Sequence, residues 1–393
     1  PTLSSSTPAD DAIGIAAANN IVLTFSENVS AATGNNIVIS NSAGAVATID
    51  ADDSQITISN NVVTINPTSD LAENTDYYVT IEAGAFVDVA GNDYAGISDS
   101  TTLNFKTVDS TDPTLTDVSI VSNNENDTSL AKADDTVTVT FTADEALNTS
   151  HGSFAATINS HTATVSNTTG NTYTATWIMD SDSNNDTDGA VSFSITAVDL
   201  SGNVASAVTA VTDASAVEYD ETASAAPSAP DMEAASDFGS SDADNKTADN
   251  TPTFTGTGVT GDTVTLISSI DGAVGTAVVA SGVWSITAST LQDGTHSMTA
   301  TQTDPAGNVS VASTALADVI IETTEPTVST FTSTTADGSY MGGDVINITA
   351  TMSEDVVAGS SFAVTLNTSD VVTLIAASDG VTLVGDYTVG TGD

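Results

Sequence analysis

The chain has 393 residues, of which 52 are acidic and only three, Lys106, Lys132 and Lys246, are lysine or arginine, so its formal net charge is −49. This balance excludes nucleic acid as a partner, because contact with phosphate backbones requires lysine and arginine side chains. There is no cysteine, and therefore no disulfide. No apolar run approaches the roughly 20 residues of a membrane-spanning helix, so we expect no membrane insertion.

The surplus of negative charge limits where the chain can work. A polyanion repels itself unless salt screens its charge or bound cations neutralise it locally. Both conditions indicate an extracellular, cell-surface location, and a solvated, halophile-like surface is the alternative to cation binding. The sequence opens at Pro1 without a leader, which we interpret as a segment of a longer protein.

Strand patterns recur along the whole chain, and helical periodicity is scarce. Alternating runs of β-branched residues occur at 21–25, 136–141, 263–267 and 345–349. Clusters of Gly, Asn, Asp and Ser separate such runs at short intervals, which is typical of β-sandwiches or barrels. The sequence therefore predicts an all-β fold.

An internal repeat sets the expected domain organisation. The string Asp-x-x-Gly-Asn occurs at residues 88–92, 199–203 and 304–308, so its copies are 111 and 105 residues apart. A repeat of this length matches one immunoglobulin-like β-sandwich. We therefore predict an extended rod of tandem sandwich modules at residues 1–109, 110–221, 222–323 and 324–393.

The fourth module is expected to be incomplete. Its residues supply about five strands, but they contain no copy of the Asp-x-x-Gly-Asn motif. A sandwich without its last strands leaves part of its core uncovered and its edges open. We expect the missing strands to come from a continuation of the chain, with donation by another chain as the alternative.

Acidic residues recur at two further places in each repeat. Strands end in an acid at Glu27, Glu145 and Glu354, whereas the third module has no clean copy of this feature. Acidic junctions join the modules at residues 109–114, at 220–222 with the Ala- and Pro-rich stretch 225–230 that follows, and at 322–327. Proline in these junctions favours extended chain at the start of an edge strand.

Strand order in a sandwich predicts that these features meet. The loop after the second strand, the Asp-x-x-Gly-Asn loop and the start of the module all lie at the pole that faces the preceding module. Between modules one and two the expected cluster is Asp109, Asp112, Glu145 and Asp199. Carboxylates gathered without a basic partner repel each other, and Ca²⁺, which accepts six to eight oxygens in loose geometry, removes that conflict.

Calcium is therefore the predicted cofactor, and the motif also has a plain structural role as a hairpin turn. A further acidic loop at residues 180–189 alternates acids as calcium loops do, and both ion binding and a solvated turn remain open there. The same alternatives apply to the loop that contains Asp237 and Asp244. The candidate calcium ligands of the whole chain are Glu27, Asp88, Asp109, Asp112, Glu145, Asp199, Asp220, Glu221, Asp237, Asp244, Asp304, Glu322, Glu325 and Glu354.

Several of these motifs resemble a known family. Residues 237–247 and 251–256, together with the motif at 304–308, resemble the bacterial Ig-like repeats of giant calcium-dependent surface adhesins of the RTX type. The first module, with residues 6–10 and 23–27, is similar to the Ig-like domain of S-layer proteins. The resemblance implies extender modules that carry ligand-binding domains away from the cell.

The leading functional hypothesis is a calcium-stiffened, non-catalytic extender segment of a large bacterial adhesin. Its partners would be neighbouring Ig-like modules of the same longer chain. The alternative is a subunit of an S-layer, sheath or extracellular filament, in which identical chains form a lattice. An accessory region of a polysaccharide-degrading enzyme would need exposed aromatic residues, but Trp177 and Trp284 lie in strand-like sequence that favours core positions.

Overall fold

The regular structure of the chain consists of β-strands. The computed structural model describes residues 1–180, 186–239 and 241–392, and all regular secondary-structure elements within them are β-strands. The predicted all-β fold class is therefore confirmed. In these residues no helix has the length and apolarity needed to cross a membrane.

The chain divides into two compact units. Each unit gathers stretches that are separated in sequence. Unit 1 contains residues 1–121, 136–178 and 190–217, and unit 2 contains residues 122–135, 179–189 and 218–393.

Unit 1 begins with a β-sandwich, the first sandwich. Its two larger sheets have the strand orders β1-β3-β8-β7 and β2-β11-β9-β5-β6, and β10 pairs with β4. The strands are β1 (Leu3–Thr7), β2 (Ala12–Ile15), β3 (Ile21–Phe25), β4 (Val29–Ala31), β5 (Asn36–Asn41), β6 (Gly44–Asp50), β7 (Ile56–Ser59), β8 (Val62–Ile65), β9 (Asp76–Ile81), β10 (Phe86–Asp88) and β11 (Asn104–Thr107).

The core of the first sandwich follows from alternation along its strands. Ile21, Leu23 and Phe25 of β3 are buried, because successive side chains of a strand point to opposite faces of the sheet. The Phe25 ring lies 5.3 Å from the ring of Phe86 and 5.0 Å from that of Tyr94, edge to face with the latter. These aromatic rings pack against one another in the core of the first sandwich.

Unit 1 also contains most of the second sandwich. Its sheets have the strand orders β12-β14-β18-β17 and β16-β15-β20. The rings of Phe141 and Tyr173 are buried and stack 5.7 Å apart. The strands of this stretch are β12 (Leu115–Ser122), β13 (Leu130–Ala131), β14 (Thr136–Ala143), β15 (Ala155–Ile158), β16 (His161–Thr162), β17 (Thr164–Thr169), β18 (Thr172–Ile178), β19 (Gly189–Ala190), β20 (Phe193–Thr196) and β21 (Glu218–Tyr219). Of these, β13, β21 and the end residues Ser122 and Gly189 belong to unit 2.

Unit 2 contains the third sandwich, whose sheets have the strand orders β22-β24-β27 and β23-β29-β28-β25-β26. Its core includes Phe254, Leu266 and Met298 together with Trp284, which is buried as expected. Trp177 of the second sandwich, for which a core position was also expected, is only half-buried and stacks on the ring of His161. The strands are β22 (Asp231–Met232), β23 (Lys246–Thr247), β24 (Thr253–Thr257), β25 (Thr263–Ser268), β26 (Gly272–Val278), β27 (Val283–Thr287), β28 (Gly294–Thr303) and β29 (Leu316–Ile321).

One pairing recurs in all three sandwiches. A short early strand runs parallel to the last strand, as β2 with β11, β13 with β21, and β23 with β29. The last strand of each sandwich leads directly into the acidic junction that follows it. The recurring pair therefore fixes where each junction leaves its sandwich.

Unit 2 ends in a single antiparallel sheet with the order β30-β31-β34-β33-β32. Its small core includes Ala350, Met352 and Leu374, while Phe331 and Val371 are 52% and 62% exposed. The backbone N–H of Ser353 donates to the carbonyl of Thr327, just before the first strand of this sheet. The backbone N–H of Asp144 makes the equivalent bond to the carbonyl of Thr114, just before β12. The strands are β30 (Val328–Thr332), β31 (Val345–Val356), β32 (Ser361–Thr365), β33 (Val371–Ile375) and β34 (Gly380–Thr388).

Candidate metal centre at the first junction

The Asp-x-x-Gly-Asn loop of the second sandwich is a tight turn built around a buried carboxylate. Asp199 is fully buried, and its Oδ1 accepts hydrogen bonds from the backbone N–H groups of Gly202 at 2.6 Å and Asn203 at 2.8 Å. Its Oδ2 accepts a third bond from the Asn203 side-chain amide at 2.7 Å. Gly202 has φ of 98°, which favours glycine because other residues are strained there.

The same loop reaches back to the chain that enters the sandwich. The Asn203 side-chain amide also donates to the backbone carbonyl of Asp109 at 3.1 Å, and the Ser201 hydroxyl donates to the Asp109 carboxylate at 3.3 Å. Asp109 opens the first junction, defined as residues 109–114. The loop therefore holds the junction acid beside its own buried aspartate.

A third acid completes the group. Glu145 follows β14, and Leu147, two residues later, forms a β-bridge with Asp199. One carboxylate oxygen from each of Asp109, Glu145 and Asp199 lies within 4.8 Å of the other two, and in the described residues this is the one group of three potential metal ligands at such spacing. The three acids come from a junction, from the loop after β14 and from the Asp-x-x-Gly-Asn loop.

The electrostatics of this acidic cluster are unfavourable without a cation. Desolvation raises the pKa of the Glu145 carboxyl, and the negative charges of Asp109, Asp199 and Asp144 raise it further. Every charge that contributes to this pKa shift is a carboxylate. The neighbouring Asp144 behaves differently, because hydrogen bonds from the Thr114 side chain and backbone lower the pKa of its carboxyl.

The group fits a calcium ion. Oxygens bound to one Ca²⁺ at about 2.3–2.6 Å can lie up to about 5 Å apart, which accommodates the 4.8 Å limit on the three carboxylate oxygens. The ligands offered are carboxylate oxygens, the type that hard cations prefer, and neither histidine nor cysteine contributes to the group. Asp109, Glu145 and Asp199 would hold the ion, whose positive charge would offset their repulsion.

Replacing Glu145 in chelator is expected to stabilise the second sandwich. Glu145→Gln removes a partly desolvated negative charge next to three other carboxylates, and each such pair costs about 1 kcal/mol at 4 Å in a water-like dielectric. We expect a gain of about 1 kcal/mol in the free energy of unfolding at pH 7, reduced in 1 M salt by screening. Urea unfolding in EDTA measures it, and a loss of stability would contradict the repulsion.

Comparison with protein families identifies two of the sandwiches. Residues 1–107 and residues 222–323 each match a family model described as a bacterial Ig-like domain. The chain carries two bacterial Ig-like domains. The N-terminal Ig-like domain is the first sandwich, and the central Ig-like domain is the third, so the tandem Ig-like fold is confirmed.

Solved structures resemble the chain at low sequence identity. The BSP domain of a biofilm-associated protein is 12% identical, with 80% of this chain and 67% of that chain covered, at a TM-score of 0.20. Dimeric latent PorU from Porphyromonas gingivalis is 11% identical, with coverages of 81% and 34% and a TM-score of 0.20. BcpA, the major pilin subunit of Bacillus cereus, is 11% identical, with coverages of 72% and 88% and a TM-score of 0.16. No curated protein matches the chain.

Other predicted ligands near the first junction and in the N-terminal Ig-like domain lie apart from the acidic cluster. Asp112 is exposed and does not belong to the group of three. Glu27 follows β3 and is exposed. Asp88 accepts bonds from the backbone N–H groups of Ala90 and Asn92 and from the Asn92 amide, and the Asn92 bonds lower the pKa of its carboxyl.

The second junction, residues 220–230, repeats part of this arrangement before the central Ig-like domain. Asp304 is buried and accepts bonds from the N–H groups of Gly307 and Asn308, each at 2.8 Å. The Asn308 amide donates to the Asp220 carbonyl at 2.8 Å. Desolvation raises the pKa of the Asp220 carboxyl, and the charge of Asp304 raises it further. Glu221 instead accepts a bond from the Tyr219 hydroxyl at 3.0 Å.

Asp262 is a residue of the second junction region that sequence reasoning missed. It is 2% exposed, and its Oδ2 accepts no hydrogen bond from the described residues. Thr263 pairs with Thr303 across β25 and β28, so Asp262 stands opposite Asp304 at the same pole. Asp262 belongs to no group of three potential metal ligands in the part of the chain that the structure describes.

The remaining predicted ligands make local contacts. Buried Asp237 accepts bonds from the N–H groups of Asn245 and Lys246, and Asp244 accepts one from Lys246. At the third junction, residues 322–327, Glu322 accepts a bond from the Thr324 N–H. Glu325 is exposed and Glu354 lies in β31. Half of the predicted calcium loop at 180–189 falls outside the described residues, since these omit 181–185.

Proposed function

We propose that this chain is a non-catalytic structural segment of a bacterial cell-surface protein, in which tandem Ig-like domains carry other domains away from the cell. Calcium bound by Asp109, Glu145 and Asp199 would stiffen the first junction. The single observation that carries this proposal is the meeting of three carboxylates from three separate elements where one sandwich follows another. The two matched Ig-like domains and the net charge of −49 support an extracellular structural role.

The second junction repeats only part of this arrangement, because Asp220, Asp262 and Asp304 form no group of three ligand oxygens within 4.8 Å of one another in the described residues. Asp220 and Asp304 come close enough for their charges to affect each other, and Asp262 supplies a buried carboxylate oxygen without a donor. A buried charge is costly unless it is paired or coordinates a metal. The calcium proposal is therefore confined to the acidic cluster of Asp109, Glu145 and Asp199.

The side chains that resemble a catalytic set have the wrong geometry for catalysis. In the central Ig-like domain the Ser268 hydroxyl lies 2.9 Å from His296 Nδ1, and Asp271 lies 3.4 Å from the same nitrogen. His296 Nε2 faces the carbonyl of Gln292 at 2.8 Å. A relay needs serine and aspartate on opposite ring nitrogens, and His296 is 1% exposed, so this network supports a structural role.

Calcium titration tests the proposal directly. We expect calorimetry on the whole chain to show calcium binding with dissociation constants of about 10⁻⁴ to 10⁻³ M, the range of extracellular modules. Glu145→Gln should remove one equivalent of calcium. Glu125→Gln, at an exposed acid outside the cluster, should leave the stoichiometry unchanged. Absence of binding in the unsubstituted chain, or equal binding in both variants, would overturn the proposal.

A further inference from the structure

In each sandwich an acidic side chain, just before β9, β19 or β28, accepts hydrogen bonds from the junction that follows. In the N-terminal Ig-like domain, Glu73 precedes β9. Its carboxylate accepts bonds from the Ser110 hydroxyl at 2.5 Å, from the Ser110 N–H at 3.1 Å and from the Thr111 hydroxyl at 3.0 Å. These contacts hold the first two residues after Asp109 against the domain that the chain is leaving.

The same contact recurs at the next two junctions. Asp188 accepts bonds from the Glu221 N–H at 2.8 Å and from the Thr222 hydroxyl at 2.5 Å. Asp293 accepts bonds from the Thr323 N–H at 3.2 Å and from its hydroxyl at 2.8 Å. We call these contacts of Glu73, Asp188 and Asp293 the upstream clamps.

A second set of contacts comes from the following sandwich. The side-chain amides of Asn203 and Asn308 donate to the carbonyls of Asp109 and Asp220, and we call these the downstream clamps. At the first junction the two clamps act on Asp109 and Ser110, and at the second on Asp220 and Glu221. Each of these two junctions is therefore hydrogen-bonded by the sandwich before it and by the sandwich after it, through adjacent residues at equivalent positions.

We propose that paired upstream and downstream clamps set the geometry of the first and second junctions without any metal ion. Glu73, Asp188, Asn203 and Asn308 are then positioning residues, which orient the junction and hold its acid beside the Asp-x-x-Gly-Asn loop. This inference deepens the proposed function, since a preformed junction presents its carboxylates to an ion at low cost in ordering. It also stands apart from calcium, because the clamps consist of protein groups alone.

The chemistry of the clamps suits this role. Hydrogen bonds between a carboxylate and N–H or O–H donors are shorter and stronger than neutral ones. They lower the pKa of the Glu73 carboxyl through Ser110 and that of the Asp188 carboxyl through Thr222, so the bonded form is the ionised one. Only the nitrogen of an asparagine side-chain amide donates hydrogen bonds, so Asn203 and Asn308 turn this nitrogen toward the junction carbonyls.

The N-terminal Ig-like domain contains a matched control for the downstream clamp. Asn92 occupies the same place in its Asp-x-x-Gly-Asn loop as Asn203, and its amide donates to Asp88 Oδ2 at 2.7 Å, as that of Asn203 does to Asp199. The Asn203 amide makes one additional bond, to the Asp109 carbonyl. Comparing alanine at the two sites therefore separates the turn from the junction.

Distance measurements in EDTA test the clamps. The chain has no cysteine, so Ser59→Cys and Ser166→Cys, at exposed positions in the two sandwiches of unit 1, give two unique spin-label sites. In chelator we expect Asn203→Ala to at least double the width of the label distance distribution relative to the unsubstituted chain. Asn92→Ala should leave that width unchanged.

A second substitution guards against a folding defect. Ser110→Ala removes the shortest of the three upstream bonds, that of the Ser110 hydroxyl, at an exposed site and should broaden the distribution in the same direction. A distribution in EDTA that is as broad in the unsubstituted chain as in Asn203→Ala and Ser110→Ala would overturn the inference. Failure of the calcium titration alone would leave the clamps standing, and narrow distributions only in calcium would leave the calcium proposal standing without them.

Discussion

Calcium at one hundred times its dissociation constant is expected to raise the free energy of unfolding of the second sandwich by about 2.7 kcal/mol. The ion would bind the folded state alone, because Asp109, Glu145 and Asp199 are brought together only when the junction and two loops of the sandwich are in place. For a domain of this size the gain corresponds to a rise in melting temperature of about 10 °C or more.

Scanning calorimetry in calcium and in EDTA measures this shift. Glu145→Gln should abolish the calcium-dependent rise, although the same change is expected to stabilise the chain slightly in EDTA. The sign of its effect therefore reverses between the two buffers, which a simple loss of packing does not produce. Glu125→Gln should match the unsubstituted chain in both. An equal rise in all three proteins would show that calcium acts elsewhere.

Magnesium provides a second arm of the same experiment. It requires near-octahedral geometry at about 2.0–2.1 Å and sheds its water reluctantly. The acidic cluster offers carboxylates from three separate elements, which cannot contract freely around a smaller ion. We expect magnesium at the same concentration to raise the melting temperature by less than half as much as calcium.

Much of the fold could be predicted because its pattern is local. The alternation at residues 136–141 predicts the strand that the structure contains as β14, and residues 21–25 are β3. Alternation is read from neighbouring residues, so it survives without knowledge of tertiary contacts. The spacing of the Asp-x-x-Gly-Asn motif likewise predicted repeats of the length that the two matched Ig-like domains have.

The candidate site could be predicted only in outline. Strand order places Asp109, Glu145 and Asp199 at one pole, and the structure brings these three together. Asp112 lies three residues beyond Asp109, where Thr114 is bonded to Asp144 and the chain already runs along the second sandwich. These bonds between Thr114 and Asp144 decide which junction acid faces the cluster, and they cannot be deduced from the spacing of residues in the sequence.

The upstream clamps and Asp262 were missed for a different reason. Glu73 and Asp293 each follow a leucine by two residues and precede a threonine by two, but this signal is short and lies far in sequence from the junctions it serves. Their role depends on tertiary structure, because the starts of β9 and β28 lie beside the ends of their antiparallel partners β11 and β29, from which the junctions leave. Asp262 has no motif, and only the register of β25 against β28 places it opposite Asp304.

Asp199→Ala is expected to destabilise the second sandwich by about 1–3 kcal/mol in EDTA. The substitution deprives the N–H groups of Gly202 and Asn203 and the Asn203 amide of their buried acceptor. The Gly202 N–H keeps a longer bond to the Asp199 carbonyl and the Asn203 amide keeps its bond to Asp109, so the main loss is the acceptor of the Asn203 N–H, which costs about 1–3 kcal/mol when unpaired. Urea unfolding of the whole chain, followed by tryptophan fluorescence, measures the loss.

Asp88, the matching aspartate of the N-terminal Ig-like domain, distinguishes the contribution of the turn to stability from that of a bound ion. Asp88 accepts the same number of bonds within its own loop but belongs to no group of three acids in the described residues. Asp88→Ala should therefore destabilise its domain by a similar amount with no calcium dependence. Asp199→Ala should cost more in calcium than in EDTA, because it removes a ligand as well as a turn. If both aspartates showed the same loss in both buffers, Asp199 would serve its loop alone and the acidic cluster would lack its buried ligand.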